Sequence, residues 1–361
     1  MKVESLAAFP LRLEARERLR GGTFSYADYQ TVIVRATVDG VEGWGEAMTR
    51  FDPRATALLV RYLAKGLEGK TFDGVDSAWE ACWRELRIRG HTRGTDVEAM
   101  SGIELALYDC AAKISKKPLG RLFAAHPRKE VPAFAGSLFK SRGPLEAQVE
   151  RAKQSGLRGA KVKIGFGPET DAALLKEARR RWPDGMLVAD ANGAYDAAGA
   201  AKACRGFVGL ELAWFEEPVL SDDLAGYASL RGAGVKIGAG ESWSVGDFDA
   251  PIGAGLVDVV EPSVSRCGGF HVEVAVARKA ASKGIKFSPM VGMNSALSLA
   301  ASIHAASAVE SLGVEYNPFV NPLQTELAAG LSEPKGGSVR VPGGDGLGLE
   351  VDLRFLKKHE A

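Results

Sequence analysis

Two lysines separated by a single residue, Lys161 and Lys163, are the first candidates for chemistry in this sequence. They lie in a segment, 159–165, whose alternation predicts a β-strand, so both side chains share one face about 6.5 Å apart. Burial and a neighbouring positive charge each lower the pKa of a lysine, which suits a general base. The same pattern also fits an edge strand with a solvated basic face, so the neighbouring segments must decide.

Three acidic residues form a second candidate set. Asp190, Glu216 and Glu241 each fall at the end of a predicted strand and are separated by 26 and 25 residues, one strand-and-helix unit each. In a barrel of parallel strands the carboxyl ends meet at one mouth, so these side chains are expected to be neighbours. Three carboxylates in a small volume cannot all stay ionised without a cation, and an all-oxygen set favours Mg2+. Glu217 is an alternative to Glu216 as the ligand.

The elements that position these residues alternate regularly from residue 131 onward. Short apolar segments alternate with amphipathic ones, which predicts an α/β fold, a (β/α)8 TIM-type barrel, with a doubly wound sheet as the alternative. The predicted strands are Val131–Ser137, Gly159–Ile164, Met186–Ala191, Leu212–Glu217, Val235–Gly240, Val257–Pro262, Ile285–Met290 and Leu312–Tyr316.

The first part of the chain has a different organisation. Strands are predicted at Lys2–Glu14, Tyr29–Val38 and Val41–Ala47, and helices at Pro53–Leu67, Val75–Ile88 and Val97–Lys113. Strands followed by segregated helices indicate an α+β domain. We therefore divide the chain into an α+β domain at 1–125, the barrel at 126–325 and a C-terminal segment at 326–361 that returns to the first domain. The polar, glycine-containing residues 20–26 are expected to form a mobile loop that acts as a specificity lid.

Composition sets limits on location and partners. The chain has 46 Lys and Arg residues against 45 Asp and Glu, a net charge of +1 and no block of like charge, which argues against nucleic acid and anionic membranes as partners. The four cysteines form no C-x-x-C pair, so neither a disulfide framework nor a zinc site is expected. The start of the chain reads as neither a signal sequence nor a membrane span. We expect a cytoplasmic protein that does not bind membranes.

The lysines and the acids together indicate one kind of chemistry. On the second barrel strand the lysine pair neighbours the predicted metal carboxylates, which favours the mouth of the barrel over a solvated edge. A magnesium ion that binds a substrate carboxylate would stabilise the negative charge formed when the adjacent carbon loses its proton. The sequence therefore predicts proton abstraction alpha to the carboxylate of a small molecule.

The sequence resembles the enolase superfamily, most closely its mandelate racemase subgroup, over nearly its whole length. The matching pieces are Lys161-Val162-Lys163, the acids Asp190, Glu216 and Glu241, the segment Ser101–Asp109, and Cys267-Gly268-Gly269. The resemblance implies a capping domain on a barrel, Mg2+ held by the three acids, Lys163 as the base and Lys161 as support for the base and the substrate carboxylate. Glu315 corresponds to the family's carboxylate-facing acid. Segments 136–140, 163–167 and 214–219 look most like acid-sugar dehydratases and a sugar-lactone cycloisomerase.

The second acid/base of the subgroup is missing from this sequence. The subgroup has a histidine on strand seven that is oriented by an aspartate on strand six, and this chain has Met290 and Ser263 there. Another subgroup has a lysine on strand six, where the nearest residue here is Arg266. A guanidinium stays protonated, so Arg266 could stabilise charge or hold a carboxylate but is a poor base.

Lys163 therefore remains as the single good general base. One lysine can remove the alpha proton and return it to a leaving hydroxyl on the same face, which predicts dehydration of a small acid sugar by syn elimination. Alternatives are a lactone cycloisomerase, a racemase with an unrecognised second base, and a barrel that binds metal and ligand without turnover. Further residues expected to contact the substrate are Asn192, Ser137, Tyr26, Met290 and His91, the last from the capping domain. We also expect a homo-oligomer.

Overall fold

The N-terminal part of the protein is a three-stranded antiparallel sheet covered by helices. The structure is a computed structural model that describes residues 1–361 apart from the side chain of Arg16. Neighbouring strands are joined in the order β1-β2-β3. The elements are β1 (Val3–Arg20), β2 (Ser25–Val38), β3 (Val41–Met48), α1 (Pro53–Ala64), α2 (Val75–Ile88) and α3 (Thr95–Ile114).

Helix α3 is the centre of this part, because it is buried on nearly all sides. Glycines make its close approach to the sheet possible. A Cβ atom on Gly45 would lie 2.2 Å from the carbonyl oxygen of Gly102, and one on Gly102 would lie 2.8 Å from the Cβ atom of Ala47. A side chain at either position would force the helix away from the sheet.

The barrel consists of eight parallel strands in the order β10-β9-β8-β7-β6-β5-β4-β11. The backbone N–H of Leu312 donates to Phe287 O at 2.8 Å and joins the two ends of this series. The predicted (β/α)8 fold class is thus confirmed. The strands are β4 (Glu130–Leu138), β5 (Gly159–Lys163), β6 (Met186–Asp190), β7 (Trp214–Glu216), β8 (Ile237–Ala239), β9 (Val259–Val260), β10 (Lys286–Phe287) and β11 (Val314–Tyr316).

Helices cover the outside of the barrel and alternate with its strands. They are α4 (Leu145–Gln154), α5 (Pro168–Arg181), α6 (Ala197–Phe207), α7 (Leu224–Ser229), α8 (Asp249–Ala254), α9 (Phe270–Ala281) and α10 (Ala296–Ala308). Short 3-10 helices occur at Leu119–Leu122 and Lys140–Arg142. Among the helices described, none is long and apolar enough to cross a membrane.

The C-terminal segment contacts both parts of the protein. It follows α11 (Pro322–Thr325), and its elements are β12 (Ala328–Ala329), β13 (Ser338–Arg340), β14 (Glu350–Val351) and α12 (Leu353–His359). Strand β13 pairs antiparallel with the start of β4 in the barrel. At the very end, the N–H of Ala361 donates to Pro10 O in β1 at 2.9 Å.

Residues 20–26, predicted as a mobile loop, are the end of a β-hairpin, so the loop is shorter than predicted. Strand β1 continues to Arg20 and β2 starts at Ser25, so only four residues form the turn, which is closed by a 3.1 Å hydrogen bond from Gly21 N to Phe24 O. This extension is a polar hairpin and lacks the one-sided apolar alternation that marks a half-buried strand. Its tip reaches the barrel, where the Thr23 hydroxyl donates to Asn192 O at 3.2 Å.

Two buried glutamates dock the N-terminal part onto the barrel. Glu104 in α3 accepts hydrogen bonds from the N–H groups of Phe270 and His271, at 2.7 and 2.9 Å, and so caps α9. Glu46 in β3 accepts from the N–H of Ser295 at 2.9 Å and caps α10. A carboxylate at a helix N-terminus accepts hydrogen bonds from the free N–H groups and interacts favourably with the helix dipole. Both contacts therefore fix the position of the N-terminal part relative to the barrel.

Candidate active site

The lysine strand β5 is fully buried between β4 and β6. The alternative of a solvated edge strand is therefore wrong. Lys161 is 1% exposed and Lys163 is 7% exposed, and both line the same cavity. Burying two ammonium groups requires counter-charges close by, and the neighbouring strands supply them.

Lys161 lies among three carboxylates. Its Nζ donates to both oxygens of Glu216, at 3.0 and 2.9 Å, and contacts Glu315. It also lies 3.5 Å from Asp190 Oδ2. Burial alone would lower the pKa of Lys161, but Glu216 and then Glu315 outweigh it and hold this pKa well above its usual range. Lys161 therefore stays an ammonium ion, which suits binding of a carboxylate.

Lys163 is paired with Asp190, the residue directly opposite it in the β5–β6 register. Its Nζ also donates to Asn192 Oδ1 at 2.8 Å. We expected a lowered pKa, and this expectation is wrong for the protein alone. Burial and Lys161 do lower the pKa of Lys163, but the carboxylates of Asp190, Glu241 and Glu216 together outweigh them and the net shift is upward. The parallel register of β5 and β6 places Lys163 and Asp190 side by side, and the prediction from the sequence did not include this pairing.

Glu315 is held in place by the backbone that follows β10. Its Oε2 accepts from the N–H groups of Val291 and Gly292, at 3.2 and 2.6 Å. Gly136 leaves room for it, because a Cβ atom there would lie 2.9 Å from the Cβ atom of Glu315. The glutamate is thus held against Lys161 in one orientation.

The three predicted metal ligands lie on adjacent strands but pair with lysines or an amide. Asp190 contacts Lys163, Glu216 accepts from Lys161, and Glu241 Oε1 accepts from Asn192 Nδ2 at 2.7 Å. With these side-chain orientations, no group of three or more Asp, Glu, His or Cys side chains among the described residues is arranged to bind a metal ion. The ammonium groups compete for the same oxygens, so the ligand set stays a prediction.

The donor set nevertheless fits a hard divalent cation. Six carboxylates are buried around the lysine pair, on Asp190, Glu216, Glu217, Glu241, Glu261 and Glu315. The Oε1 atom of Glu217 is buried and has no hydrogen-bond partner among the described residues. Burial, with Asp190 adding, raises the pKa of Glu216 to about 8. Oxygen donors with unbalanced negative charge are what Mg2+ prefers.

A cavity of about 160 Å³ lies above the lysines. It is smaller than the roughly 300–1,000 Å³ pockets of drug-sized ligands, so it suits a small molecule. Strands β5 and β9 are four places apart in a ring of eight, and therefore face each other across the barrel. Arg266, which follows β9, thus lies opposite the lysines, and Met290, which follows β10, lies beside it.

Most of the predicted substrate residues line this cavity. Asn192, Ser137, Tyr26, Arg266 and Met290 all do.

His91, the remaining predicted substrate residue, is not among the residues that line the cavity. The chain turns after α2, and the exposed ring of His91 lies 3.1 Å from Asp96 Oδ2 at the start of α3.

Sequence reasoning missed several cavity residues, namely Arg50, Phe24, Ser242 and Met293. Arg50 follows the end of β3, much as the catalytic candidates follow barrel strands, and that position was the available signal. Glu217, considered only as an alternative ligand, also lines the cavity and has a positive φ of 38°. This uncommon backbone conformation turns the residue after β7 toward the mouth.

Among the described residues, none of those that line the wall opposite Lys163 is a histidine. Met290 is 2% exposed and presents a thioether there. Ser263 is fully buried, and its hydroxyl lies 3.3 Å from the Ser265 hydroxyl. Neither side chain can remove a proton from carbon at neutral pH.

Fold and site together define an enzyme class in which a capping domain closes a barrel mouth lined with lysines and carboxylates. The sequence matches "Mandelate racemase / muconate lactonizing enzyme, N-terminal domain" over residues 16–123 and "Enolase C-terminal domain-like" over residues 144–355. The chain belongs to this family of the enolase superfamily.

Two curated relatives and one solved structure show how similar the chain is to characterised members. It is 30% identical to a D-galactarolactone cycloisomerase of Agrobacterium fabrum, with 88% of each chain covered. It is 25% identical to an L-rhamnonate dehydratase of Saccharopolyspora erythraea, with 99% of this chain and 93% of the other covered. A racemase from Streptomyces coelicolor with bound magnesium superposes with a TM-score of 0.90, at 26% identity and over 99% and 100% of the two chains. The protein is thus an enzyme whose relatives are lyases and isomerases.

Proposed function

We propose that this enzyme removes the proton alpha to the carboxylate of a small acid sugar, with Mg2+ as cofactor, and then eliminates the oxygen on the beta carbon. The observation that carries the proposal is the asymmetry of the cavity. One wall has a buried lysine pair among carboxylates, and the opposite wall has Met290 and Arg266 and no second base. A single base permits elimination from one face but does not permit racemisation through two faces.

Each lysine has a separate role in this scheme. Lys161 remains protonated beside Glu216 and Glu315 and binds the substrate carboxylate. Lys163, in its neutral form, takes the alpha proton, and Asn192 orients its Nζ through the 2.8 Å hydrogen bond.

The acids Asp190, Glu216 and Glu241 are the proposed magnesium ligands, with Glu217 as the alternative to Glu216. A bound Mg2+ would supply positive charge that stabilises the anion at the substrate carboxylate and offsets the negative charge that raises the pKa of Lys163. The buried, unpartnered oxygen of Glu217 supports a cation in this part of the site.

One lysine is enough for both proton transfers of the dehydration. The alpha C–H bond breaks and its proton passes to Lys163, while the electron pair forms a double bond to the beta carbon. The beta C–O bond breaks, and Lys163 returns the proton to the leaving hydroxyl on the same face, giving water. The enol that remains becomes a 2-keto-3-deoxy acid.

Opening of an acid-sugar lactone is the second candidate. Here the leaving oxygen belongs to the lactone and departs as a carboxylate, so it needs no proton from the enzyme. Arg266 on the opposite wall favours this outcome, because a guanidinium can bind the new carboxylate. The similarity to a lactone cycloisomerase supports it as well.

The test is a panel of acid sugars and their lactones incubated with enzyme and Mg2+ in D2O and followed by NMR. We expect loss of the alpha-proton signal together with a keto-deoxy acid, from open acids for a dehydratase and from lactones for a cycloisomerase. Alpha-proton exchange that inverts the carbon without elimination would contradict the proposal. So would the absence of exchange across the whole panel.

A further inference from the structure

A buried aspartate connects two of the loops that carry the catalytic candidates. Asp171 lies in the first turn of α5 and is fully buried. Its Oδ2 accepts from the backbone N–H of Gly165 at 2.7 Å and from that of Phe166 at 3.1 Å, in the loop that follows the lysine strand β5. The hydroxyl of Tyr195, in the loop that follows β6, donates to the same oxygen. One carboxylate oxygen therefore joins two loops at the mouth of the barrel.

The bond from Tyr195 is not part of a local helix cap. The two backbone donors precede Asp171 by only six and five positions, and a side chain in the first turn of a helix often bonds the N–H groups just before it. Tyr195 follows Asp171 by 24 positions. Its ring packs edge-on against Phe215 of β7, with 6.3 Å between the ring centres, and its backbone N–H donates to Pro218 O at 3.2 Å. The barrel thus holds Tyr195 toward α5.

The same two loops carry the base and the amide that orients it. Lys163 is the last residue of β5, two positions before Gly165, and Asn192 is three positions before Tyr195. The Nζ of Lys163 donates to Asn192 Oδ1 at 2.8 Å. This bond crosses from one loop to the other, so a shift of either loop changes its length. The contact between Asp171 and Tyr195 opposes such a shift.

The hairpin tip also rests on both loops. The Thr23 hydroxyl donates to Asn192 O at 3.2 Å. A Cβ atom on Gly165 would lie 2.7 Å from the Cβ atom of Ala194 and 3.3 Å from the Cα atom of Gly22. Because Gly165 has no side chain and a φ of 100°, the hairpin tip and the two loops can meet at one point. The joined loops therefore form the surface that the hairpin tip covers.

We propose that Asp171 and Tyr195 are positioning residues whose contact sets the distance between Lys163 and Asn192 and aligns the loop surface under the hairpin tip. The proposal rests on the proposed function, because Lys163 is the base in that scheme. Neither Asp171 nor Tyr195 is among the described residues that line the cavity, so both act through the backbone of their loops. A misplacement of about 1 Å in a reacting group can lower a rate about 100-fold.

The deciding variant is Tyr195→Phe, which removes one hydroxyl and keeps the ring that packs on Phe215. We expect kcat for alpha-proton loss to fall about tenfold and KM to change less than about threefold, because the base is misplaced while the groups that bind substrate remain. The deuterium isotope effect on kcat, measured with alpha-deuterated substrate, should increase, since proton transfer then limits turnover more strongly. Asp171→Ala should show the same pattern if it folds, but it also leaves two backbone N–H groups without an acceptor.

Tyr108→Phe is the matched control. The Tyr108 hydroxyl also donates to a carboxylate, that of Asp76, but this contact joins α3 to α2 within the capping domain. We expect Tm to fall in this control much as in Tyr195→Phe, while kcat and the isotope effect stay those of wild type. An unchanged kcat in folded Tyr195→Phe would overturn the inference. So would an equal loss of kcat in the control, because stability alone would then explain the effect.

Amide hydrogen exchange followed by mass spectrometry tests the inference without a substrate. Peptides that cover residues 164–167 and 20–26 should exchange about fivefold faster in Tyr195→Phe than in wild type, as for the loss of one hydrogen bond, and should be unchanged in Tyr108→Phe. Equal protection in wild type and Tyr195→Phe would overturn the inference and leave the proposed function standing. Absence of alpha-proton loss from every substrate in wild type would overturn the proposed function, and the exchange of these peptides would still decide whether the contact aligns the loops.

Discussion

At the scale of single residues, the site depends on how each buried charge is paired. The sequence predicted that Lys163, Asp190 and Glu216 would share one site, because alternation and strand ends are local patterns, and these side chains do lie together. The pairs themselves were not predictable, since they depend on register between strands. Lys163 faces Asp190 in that register, and this contact together with the carboxylates of Glu241 and Glu216 reverses the expected direction of the lysine pKa. The local sequence pattern thus indicated these groups, whereas the contacts between strands determine their protonation states.

The asymmetry of the cavity predicts strict selectivity at the alpha carbon. In the proposed binding mode Lys163 would lie on one face of the substrate, where Met290 and buried Ser263 would offer no base on the other face. Of two substrates that differ only in alpha configuration, we expect one alone to exchange its alpha proton in D2O, as measured by NMR. Comparable exchange from both epimers would show that a second base exists.

At the scale of elements, whether a strand could be predicted from the sequence depended on its length and on how its side chains are divided between buried and exposed positions. The barrel strands were located correctly because each is a short apolar run, although the observed strands are shorter than predicted at several positions, such as β9. The polar end of the β1–β2 hairpin was missed because both of its faces are largely solvent-exposed. Strand β13 was missed for a different reason: three residues pair with β4 more than 190 positions earlier in the chain, a contact that no local pattern encodes.

The close contact between the hairpin tip and the barrel allows the closure of the cavity mouth to be tested with a steric substitution. A Cβ atom on Gly22 would lie 2.5 Å from Gly165 O, two residues after the end of the lysine strand. Gly22→Ala should therefore hold the tip away from the mouth and lower kcat/KM about tenfold, on the scale of a small misplacement of a closing segment. Because Gly22 is exposed, Tm should stay within a degree or two of wild type. An unchanged kcat/KM would mean that the hairpin does not close in this way.

Helix α10 carries a buried histidine that links it to the C-terminal segment and predicts a pH dependence of stability. His304 accepts from Gly120 N at 3.4 Å and lies 3.3 Å from Leu347 O. Burial lowers the pKa of His304 to about 4. Its ordinary pKa is about 6.5, so between those values the unfolded chain binds a proton that the folded chain does not.

The sign of this effect is a loss of stability as pH falls. The contribution of His304 is complete above pH 6.5 and decreases toward pH 4, by on the order of 3 kcal/mol in the free energy of unfolding. Denaturant unfolding at several pH values should show a flatter profile for His304→Gln than for wild type. Parallel profiles would mean that His304 titrates normally in the folded protein.

At the scale of the whole molecule, docking of the two parts completes the site. The barrel supplies the lysines and carboxylates, while the capping domain supplies Tyr26 and Arg50. Glu104 and Glu46 fix this arrangement by capping barrel helices. The segment Ser101–Asp109, predicted as part of a helix and noted as part of the resemblance, lies in α3, the helix that docks onto the barrel. Its role could not be read from the sequence, because its partners follow it in the chain by more than 160 residues.

Magnesium binding should be detectable by stability as well as by activity. A ligand that binds the folded state alone stabilises it by about 2.7 kcal/mol at 100 times its Kd. We expect Mg2+ to raise Tm of wild type by a few degrees and EDTA to reverse this, with little response in Asp190→Asn or Glu241→Gln. An equal rise in wild type and both variants would place the ion elsewhere.

The most direct test of the central claim is the rate of alpha-proton loss from an accepted substrate in D2O with Lys163 replaced. Lys163→Gln keeps a hydrogen-bond donor for Asp190 but cannot accept a proton, and Lys163→Ala removes the contact altogether. Provided that both variants remain folded by their melting curves, we predict that alpha-proton loss falls by about 10²–10⁴-fold in each. A rate within a few-fold of wild type in the folded Gln variant would contradict the assignment of Lys163 as the base.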